Sequence, residues 1–105
     1  MWVDFGPPFG HEQAGRRPAL VISPRSYNER SSLIVVCPIT RSPAPWPLKV
    51  QLPEIGQLKG AVLVDHIKSI DRQIRFVVRA GQVPAEVLHR VHAMIVAMLA
   101  IPPTD

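Results

Sequence analysis

Cysteine is nearly absent from this sequence of 105 residues. The single one, Cys37, has no partner for an internal disulfide, and its place in the apolar run LIVVCPI predicts a buried, unreactive thiol. Long apolar runs are missing as well, because the most apolar segment, AMIVAMLAI, is too short to span a bilayer. No basic stretch precedes an apolar core at the start, so we expect a cytoplasmic protein without a secretory signal.

Proline is plentiful by contrast, with 12 prolines and 6 glycines in the chain. This content predicts many short elements joined by turns rather than a bundle of long helices. The length allows one domain with one modest core, and 47% hydrophobic with 19% charged residues indicates a globular protein. The formal net charge of +4 favours a polyanionic partner such as nucleic acid.

Most of the chain has the apolar pattern of short strands. Two runs, 19–23 and 33–39, are nearly continuously apolar, which is typical of strands buried on both faces. The alternation over 48–52 is typical of a half-buried strand. We expect further strands at 2–5, 60–64 and 75–80, a mixed charged and apolar segment at 65–71, and turns in PRSYNERSS and RSPAPWP.

The C-terminal part has a helical pattern instead. Pro84 at a first helical position, followed by Glu86, predicts a helix from 84 to about 100. From residue 93 onward nearly every residue is apolar, so we expect a partner subunit to cover this end. An apolar stripe predicts the buried face, and it consists of Val87, Val91, Met94, Ile95 and Met98. Short strands with one terminal helix indicate a small, curved antiparallel sheet or barrel.

The stretch GHEQAGRRP at 10–18 concentrates acid, base and cationic groups between two predicted strands. Glu12 is suited to general acid or base catalysis. Arg17 precedes Pro18 and is therefore biased to an extended backbone, where its guanidinium would present a fork of donors to phosphate oxygens. Thr40 closes the third strand and could donate a further hydrogen bond to a phosphate.

These groups match what metal-free RNA cleavage requires. The RNA supplies its own 2′-OH nucleophile, so the protein has to move protons and stabilise charge on the phosphorane oxygens. Simpler interpretations stay open at this point. Glu12 could form a surface ion pair with Arg16 or Arg17, His11 could be a solvated loop histidine, and Thr40 could be a turn former.

Motifs along the whole chain resemble the MazF/PemK family of toxin endoribonucleases, the mRNA interferases of toxin–antitoxin pairs. The opening WVDFGPPFGHEQAGRRPALVISP is similar to the family's first strand and E-Q-x-G-x-R-P loop. VVCPIT at 35–40 is similar to a family strand that ends in Thr, and GAVLVDHIKSIDR at 60–72 to a G-x-x-x-x-D-x-x-[KR]-[ST]-I-D segment. PAEVLHRVHAMIVAML resembles the C-terminal helix of the family.

The resemblance implies a mainly β fold with a C-terminal α-helix, a small SH3-like barrel of the CcdB/PemK-like kind, over one domain at 1–105. It also implies a homodimer that binds single-stranded RNA across both subunits, a cognate MazE-like antitoxin that competes for that surface, and no cofactor or metal. DNA would be met only indirectly, through an antitoxin complex.

Matched by motif, the family's catalytic residues are Arg17 and Thr40, with Glu12 as an assisting acid or base. His11 and Asp65 fall at positions where some members carry auxiliary catalytic groups. Members that use this Asp as a base also have an Arg two residues earlier, where this chain has Leu63. We therefore favour Arg17 with Glu12 and Thr40.

A second group of residues is expected to bind RNA by charge, hydrogen bonding or stacking. Trp46, between two prolines, could stack an unpaired base, cap the core or be covered by antitoxin. The basic cluster near residue 70 could contact phosphates or be an ordinary solvated turn. His89 and His92 have a spacing that suits metal ligation, but no third ligand is evident. The expected RNA contacts are Arg16, Arg41, Trp46, Lys68, Ser69 and Arg72.

The resemblance therefore implies a growth-inhibiting toxin, and with the loop chemistry it predicts metal-independent cleavage of single-stranded RNA at a specific sequence, which leaves 2′,3′-cyclic phosphate and 5′-OH ends. One alternative is a toxin of the same fold that acts on a protein target, as gyrase poisons do. Another is a catalytically inactive RNA-binding module.

Overall fold

The computed structural model describes residues 1–6, 17–54, 56, 58–75 and 77–100. In these ranges the chain forms seven strands, two α-helices and a 3-10 turn at Val64–His66. The strands are β1 (Trp2–Phe5), β2 (Arg17–Val21), β3 (Leu33–Thr40), β4 (Lys49–Gln51), β5 (Ala61–Leu63), β6 (Lys68–Asp71) and β7 (Val77–Gly81). The helices are α1 (Arg25–Arg30) and α2 (Ala85–Met98).

The strands form an antiparallel sheet in the order β4-β5-β3-β2-β1-β7, and β6 pairs with β3 outside this path. The long strand β3 organises the sheet. One of its edges pairs with β2, while the other pairs first with β6, at Leu33–Val36, and then with β5, at Ile39 and Thr40. The chain must therefore turn between β5 and β6, and the 3-10 turn makes this connection.

Apolar side chains are buried on both faces of the sheet. Ala19, Leu20 and Val21 in β2 are all buried, which confirms the prediction of strands covered on both faces. One face packs against α2, and its cluster includes Leu20, Cys37, Ile39, Val50, Leu52, Leu58, Val62, Val64, Val87 and Val91. The other face holds a second cluster of Val3, Phe5, Ala19, Val21, Ile34, Val36 and Ile70. The mainly β architecture with a C-terminal helix is as predicted.

Two elements differ from the sequence-based prediction. The segment PRSYNERSS, expected as a turn, forms α1 after Pro24. None of the six residues of α1 is buried, so there was no apolar period to reveal the helix. The mixed segment at 65–71 contains β6, whose Lys68–Asp71 pair with Leu33–Val36. Only pairing with β3 makes this charged segment a strand.

Helix α2 follows the predicted pattern. Val87 and Val91 are buried against the sheet, and the polar residues Glu86, His89 and Arg90 are exposed. Towards the C-terminal end apolar side chains lie on the surface of the single chain, since Val96 is 48% and Leu99 is 58% exposed. None of the helices in the described ranges is long and apolar enough to cross a membrane.

Candidate active site

Arg17 and Thr40 lie at one end of the sheet, on neighbouring strands and on the same face. The register of β2 and β3 pairs Ala19 with Pro38, and each of the two residues lies two positions beyond this pair. Because side chains alternate along a strand, Arg17 shares a face with Ala19, and Thr40 shares that face with Pro38. The fold therefore brings the two sequence-predicted catalytic residues to one place, and Arg17 is exposed there.

Two further residues join this face. Phe5 pairs with Arg17 across β1 and β2 and is buried. Lys68 pairs with Val36 across β3 and β6, so it projects on the same face, and its Nζ lies 4.9 Å from the centroid of the Phe5 ring. A cation held over an aromatic face is attracted by the ring quadrupole. Lys68 and Arg17 thus flank Phe5 and give the sheet end a positive potential.

The side chain of Thr40 is oriented by a short-range hydrogen bond. Its Oγ1 accepts from the backbone N–H of Ser42 at 3.1 Å, as in a Ser/Thr turn. The hydroxyl proton is then available to donate, and no described residue accepts it. The Arg17 side chain likewise has no hydrogen bond or ion pair with a residue in the described ranges. Both side chains can therefore offer donors to an incoming anion.

A cavity of about 190 Å³ lies beside Thr40. One wall is the segment 41–47, which carries no strand or helix. The opposite wall comes from β4, β5 and the 3-10 turn. The lining residues are Thr40, Ser42, Ala44, Pro45, Trp46, Lys49, Leu63 and His66. An opening with one aromatic wall next to a hydroxyl donor is suited to a flat, partly polar group.

Side chains, rather than strand pairing, hold the segment 41–47 in place. Lys49 Nζ donates to the carbonyl oxygens of Ser42 and Ala44, each at 2.8 Å. Trp46 Nε1 donates to Asp65 Oδ1 at 2.8 Å. The Trp46 ring also meets His66 edge to face, with 6.0 Å between ring centroids and an interplanar angle of 86°. Trp46 is still 47% exposed.

The structure describes only some of the other predicted site residues. Glu12, His11 and Arg16 lie outside the described residues. Arg41 directly follows Thr40 and is exposed. Ser69 pairs with Val35, so it projects on the face opposite to Thr40.

Arg72 lies at the far end of β3. Its backbone N–H donates to the carbonyl oxygen of Ser32 at 2.8 Å. Ser32 is eight residues from Thr40 in the chain, which is roughly 26 Å along an extended strand. Its guanidinium donates to the carbonyl oxygens of Asn28 and Ser31. These are carbonyls at the end of α1, which have no partner within the helix. The observed role of Arg72 is therefore to cap α1.

Cys37 is buried, and its Sγ lies 3.7 Å from the carbonyl oxygen of Val64. Burial, with a smaller contribution from the negative charge of Asp65, raises the pKa of this thiol from 9.0 to about 12. The thiolate is the reactive form of cysteine, so the predicted unreactive thiol agrees with this environment.

The helix histidines do not form a metal site with the residues around them. His92 Nε2 lies 3.1 Å from the carbonyl oxygen of Ile22 and so joins α2 to the end of β2. His89 is exposed. No group of three His, Cys, Asp or Glu side chains suited to a metal ion occurs in the described part of the chain.

Three residues of the site were not found from the sequence. Phe5 supports Lys68, Lys49 anchors the segment 41–47, and His66 contacts Trp46. Lys49 falls at a polar position of an alternating strand, and this pattern predicts only exposure to solvent. Their roles depend on contacts with residues distant in sequence, and no local signal indicates them.

The fold is that of toxins from toxin–antitoxin systems. The chain superposes on MazF of Deinococcus radiodurans with a TM-score of 0.81 and 38% identity, over 95% of this chain and 93% of that one. A MazE–MazF structure from the same organism matches with a TM-score of 0.83 and 35% identity, over 96% of this chain and 92% of the other.

The sequence narrows this class to one family. Residues 1–99 match the family model described as PemK-like, MazF-like toxin of type II toxin–antitoxin system, and the chain belongs to this family. It is 40% identical over 96 residues to the endoribonuclease toxin MazF of Escherichia coli K12, covering 90% of this chain and 85% of the relative. The alignment with endoribonuclease PemK of Escherichia coli has 32% identity and covers 87% of this chain and 72% of PemK.

Proposed function

We propose that this protein is the toxin of a type II toxin–antitoxin pair and that it acts as an endoribonuclease on single-stranded RNA, including mRNA. Family membership and the names of relatives at 32–40% identity support the activity. The single observation that carries the proposal is the placement of Arg17 and Thr40, two donors on one exposed sheet end beside a cavity.

The reaction is an internal transfer within the RNA. A base removes the proton of a 2′-OH, the oxygen forms a bond to the adjacent phosphorus, and the bond to the 5′-oxygen breaks. An acid returns a proton to the departing 5′-oxygen. The products are a 2′,3′-cyclic phosphate and a 5′-OH, and no external nucleophile is consumed.

The donors of the sheet end match the charge that develops in this reaction. The Arg17 guanidinium and the Thr40 hydroxyl would bind the non-bridging oxygens, whose negative charge increases in the phosphorane. Glu12, five residues before Arg17, is the proposed acid or base, with His11 as an auxiliary group. Lys68 adds positive potential beside the same face without a proton transfer of its own.

The RNA strand would extend from this point over the neighbouring basic and aromatic residues. Trp46 lines the cavity beside Thr40. Arg41 directly follows Thr40 in the chain, and Arg16 precedes Arg17. The RNA contacts predicted for Ser69 and Arg72 remain predictions, although Ser69 lies on the opposite face and Arg72 caps α1. Sequence specificity would come from bases bound near the cavity.

The proposed partners are a second copy of this chain and an antitoxin. MazE–MazF structures from Deinococcus radiodurans are among the matches, which supports a MazE-like antitoxin for this chain. Competition between antitoxin and RNA for one surface would keep the toxin inactive until the antitoxin is lost.

The decisive experiment is cleavage of a long single-stranded RNA by purified protein in EDTA, with both ends mapped. We expect cuts at one repeated short motif, with cyclic phosphate and 5′-OH ends. Arg17→Ala should lower kcat about 100-fold or more, because one transition-state donor is typically worth 10²–10³-fold. Arg30→Ala, which removes an exposed arginine of α1, is the matched control and should cleave like the parent.

The opposite result would be a folded protein that cleaves no RNA, or cleavage that survives Arg17→Ala unchanged. The first outcome would favour a protein-directed toxin or an inactive RNA-binding module. The second would place the chemistry elsewhere or expose a contaminating nuclease.

A further inference from the structure

Trp46, which lines the cavity beside Thr40, is held by two contacts of different kinds. The hydrogen bond to Asp65 fixes the nitrogen edge of the Trp46 indole, and the edge-to-face contact with His66 fixes its plane. With 47% of the residue still exposed, the ring is oriented and yet accessible. An aromatic ring in this condition is suited to stack on another flat ring.

Asp65 belongs to a well-packed part of the fold, unlike the segment 41–47 that contains Trp46. It lies on the 3-10 turn between β5 and β6, directly after Val64, which is completely buried. The N–H of Val64 donates to the Leu48 carbonyl at 3.0 Å, and its own carbonyl oxygen contacts Cys37 Sγ. Trp46, by contrast, belongs to the segment 41–47, which pairs with no strand. The well-packed Asp65 therefore fixes the position of the Trp46 ring through this hydrogen bond.

The position matters because Thr40 lines the same cavity as Trp46. A phosphate bound by Thr40 and Arg17 would leave an adjacent base within reach of the cavity. Single-stranded RNA is commonly recognised by stacking an unpaired base on an aromatic side chain. The cavity thus has an anion-binding side at Thr40 and a stacking wall at Trp46.

We propose that Asp65 is a positioning residue, which holds Trp46 so that its ring stacks on the unpaired base next to the phosphate bound at Thr40. This inference rests on the proposed endoribonuclease function and extends it. The Asp65 carboxylate acts through the indole and exchanges no proton with the RNA. It thus differs from the auxiliary catalytic group that the motif position suggested.

Four variants separate positioning from catalysis. Asp65→Asn keeps a carbonyl acceptor for the indole but removes the charge, whereas Asp65→Ala removes both. Trp46→Phe keeps an aromatic ring but lacks the N–H donor, and the Asp65→Ala/Trp46→Phe double variant removes both partners. Steady-state kinetics with an RNA that contains the mapped cleavage motif give kcat and KM for each variant.

We expect Asp65→Ala and Trp46→Phe each to raise KM about tenfold, in the range that loss of a stacked base allows, while kcat changes by less than threefold. Asp65→Asn should restore KM to within threefold of the parent value. The double variant should be no worse than either single variant, because both changes break one contact.

Three results would overturn the proposal. Asp65→Asn could be as defective as Asp65→Ala, which would mean that the charge or the proton of Asp65 matters. Asp65→Ala could lower kcat with KM unchanged, which would make Asp65 a catalytic residue. The effects of Asp65→Ala and Trp46→Phe could multiply in the double variant, which would mean that the two residues act separately.

A measurement without catalysis keeps this inference distinct from the proposed function. The protein has two tryptophans, so its NMR spectrum has two indole N–H signals, and the one missing in Trp46→Phe belongs to Trp46. Asp65→Ala should move this signal and speed its exchange with water, while Asp65→Asn should do so much less. In the parent protein, binding of a single-stranded RNA with a 2′-deoxy nucleotide at the cleavage site should shift the Trp46 indole signal.

If the protein cleaves no RNA, a pool of random single-stranded RNA replaces the mapped oligonucleotide. A shifted Trp46 signal would then support base stacking even though the proposed activity had failed. An unshifted signal with an RNA that the protein does cleave would overturn the stacking role alone.

Discussion

Gly60 is the residue on which the position of Thr40 depends. Its φ of +118° lies in a region that side chains rarely adopt, and a Cβ built there would overlap the carbonyl oxygen of Thr40 and lie 2.9 Å from its carbonyl carbon. This close approach lets β5 pair with the end of β3 through Ala61 and Thr40. A single glycine thereby sets the backbone of a candidate catalytic residue.

We expect Gly60→Ala to lower the free energy of unfolding by roughly 3 kcal/mol, because both backbone strain and a backbone clash are introduced. Urea denaturation measures this loss. Gly56→Ala is the control, since Gly56 also has a positive φ of 58° but, its chain neighbours aside, no described residue lies within 4 Å of its added Cβ. It should cost about 1–2 kcal/mol. Equal losses in the two variants would show that the contact with Thr40 carries no energy.

The buried thiol of Cys37 makes stability depend on pH in the alkaline range. The pKa of Cys37 is raised from 9.0 to about 12 by burial, so above pH 9 the unfolded chain loses this proton while the folded chain keeps it. The unfolded state then binds fewer protons, and the free energy of unfolding falls as pH rises. The contribution is at most about 1.4 kcal/mol per pH unit between these two values.

Denaturation at pH 8, 9 and 10 for the parent and Cys37→Ala tests this dependence. The parent should lose stability more steeply above pH 9 than the variant does. Parallel curves for the two proteins would show that the folded thiol ionises as readily as the unfolded one.

At the scale of elements, α1 depends on a residue outside it. The helix has only six residues and no buried side chain, so it is too short to be stable by itself. Arg72, after β6, donates to the Asn28 and Ser31 carbonyls and holds the end of α1 against the sheet. The helix is thus a consequence of tertiary contact rather than of its own sequence.

We expect Arg72→Ala to destabilise the protein by about 1–3 kcal/mol, since several carbonyls lose a charged donor. Hydrogen exchange should increase in residues 25–30, while RNA cleavage stays within about threefold of the parent. Arg30→Ala serves as the control that removes a positive charge from the same helix. Unchanged exchange together with a large, salt-dependent loss of RNA binding would instead support the RNA contact that the sequence predicted for Arg72.

At the scale of the whole molecule, the exposed end of α2 argues for a second subunit. Val96 and Leu99 are about half exposed in the single chain, next to the partly buried Met94, Ile95 and Met98. The sequence predicted that a partner subunit would cover this end, and these exposed apolar side chains are available for such a contact. The homodimer remains a prediction.

The double variant Val96→Glu/Leu99→Glu tests the predicted homodimer, because burying two unpaired carboxylates in an apolar interface is costly. Light scattering should show a dimer for the parent and a monomer for the variant. Arg90→Glu on the exposed face of α2 changes charge without touching the apolar end and should remain dimeric. A parent that is monomeric at high concentration would contradict the prediction.

Local sequence patterns were enough for the elements that have a regular apolar period. Strand β1 and helix α2, with Val87 and Val91 inward, could be predicted because the residues that define them are neighbours in sequence. Helix α1 and strand β6 could not, because Arg72 holds one and β3 pairs with the other. Asp65 was identified by its motif position, but the motif gave no sign of its hydrogen bond to Trp46, which lies in a different segment of the chain.

The sequence by itself determined the family, the mainly β class and the chemical types in the site, since motifs and alternation are properties of neighbouring residues. Tertiary structure alone decided which of these residues meet. Cross-strand register brought Arg17 and Thr40 to one sheet end, and side-chain hydrogen bonds assigned Asp65 to Trp46 and Arg72 to α1. Such pairings join residues far apart in the chain, so they follow from packing and not from spacing.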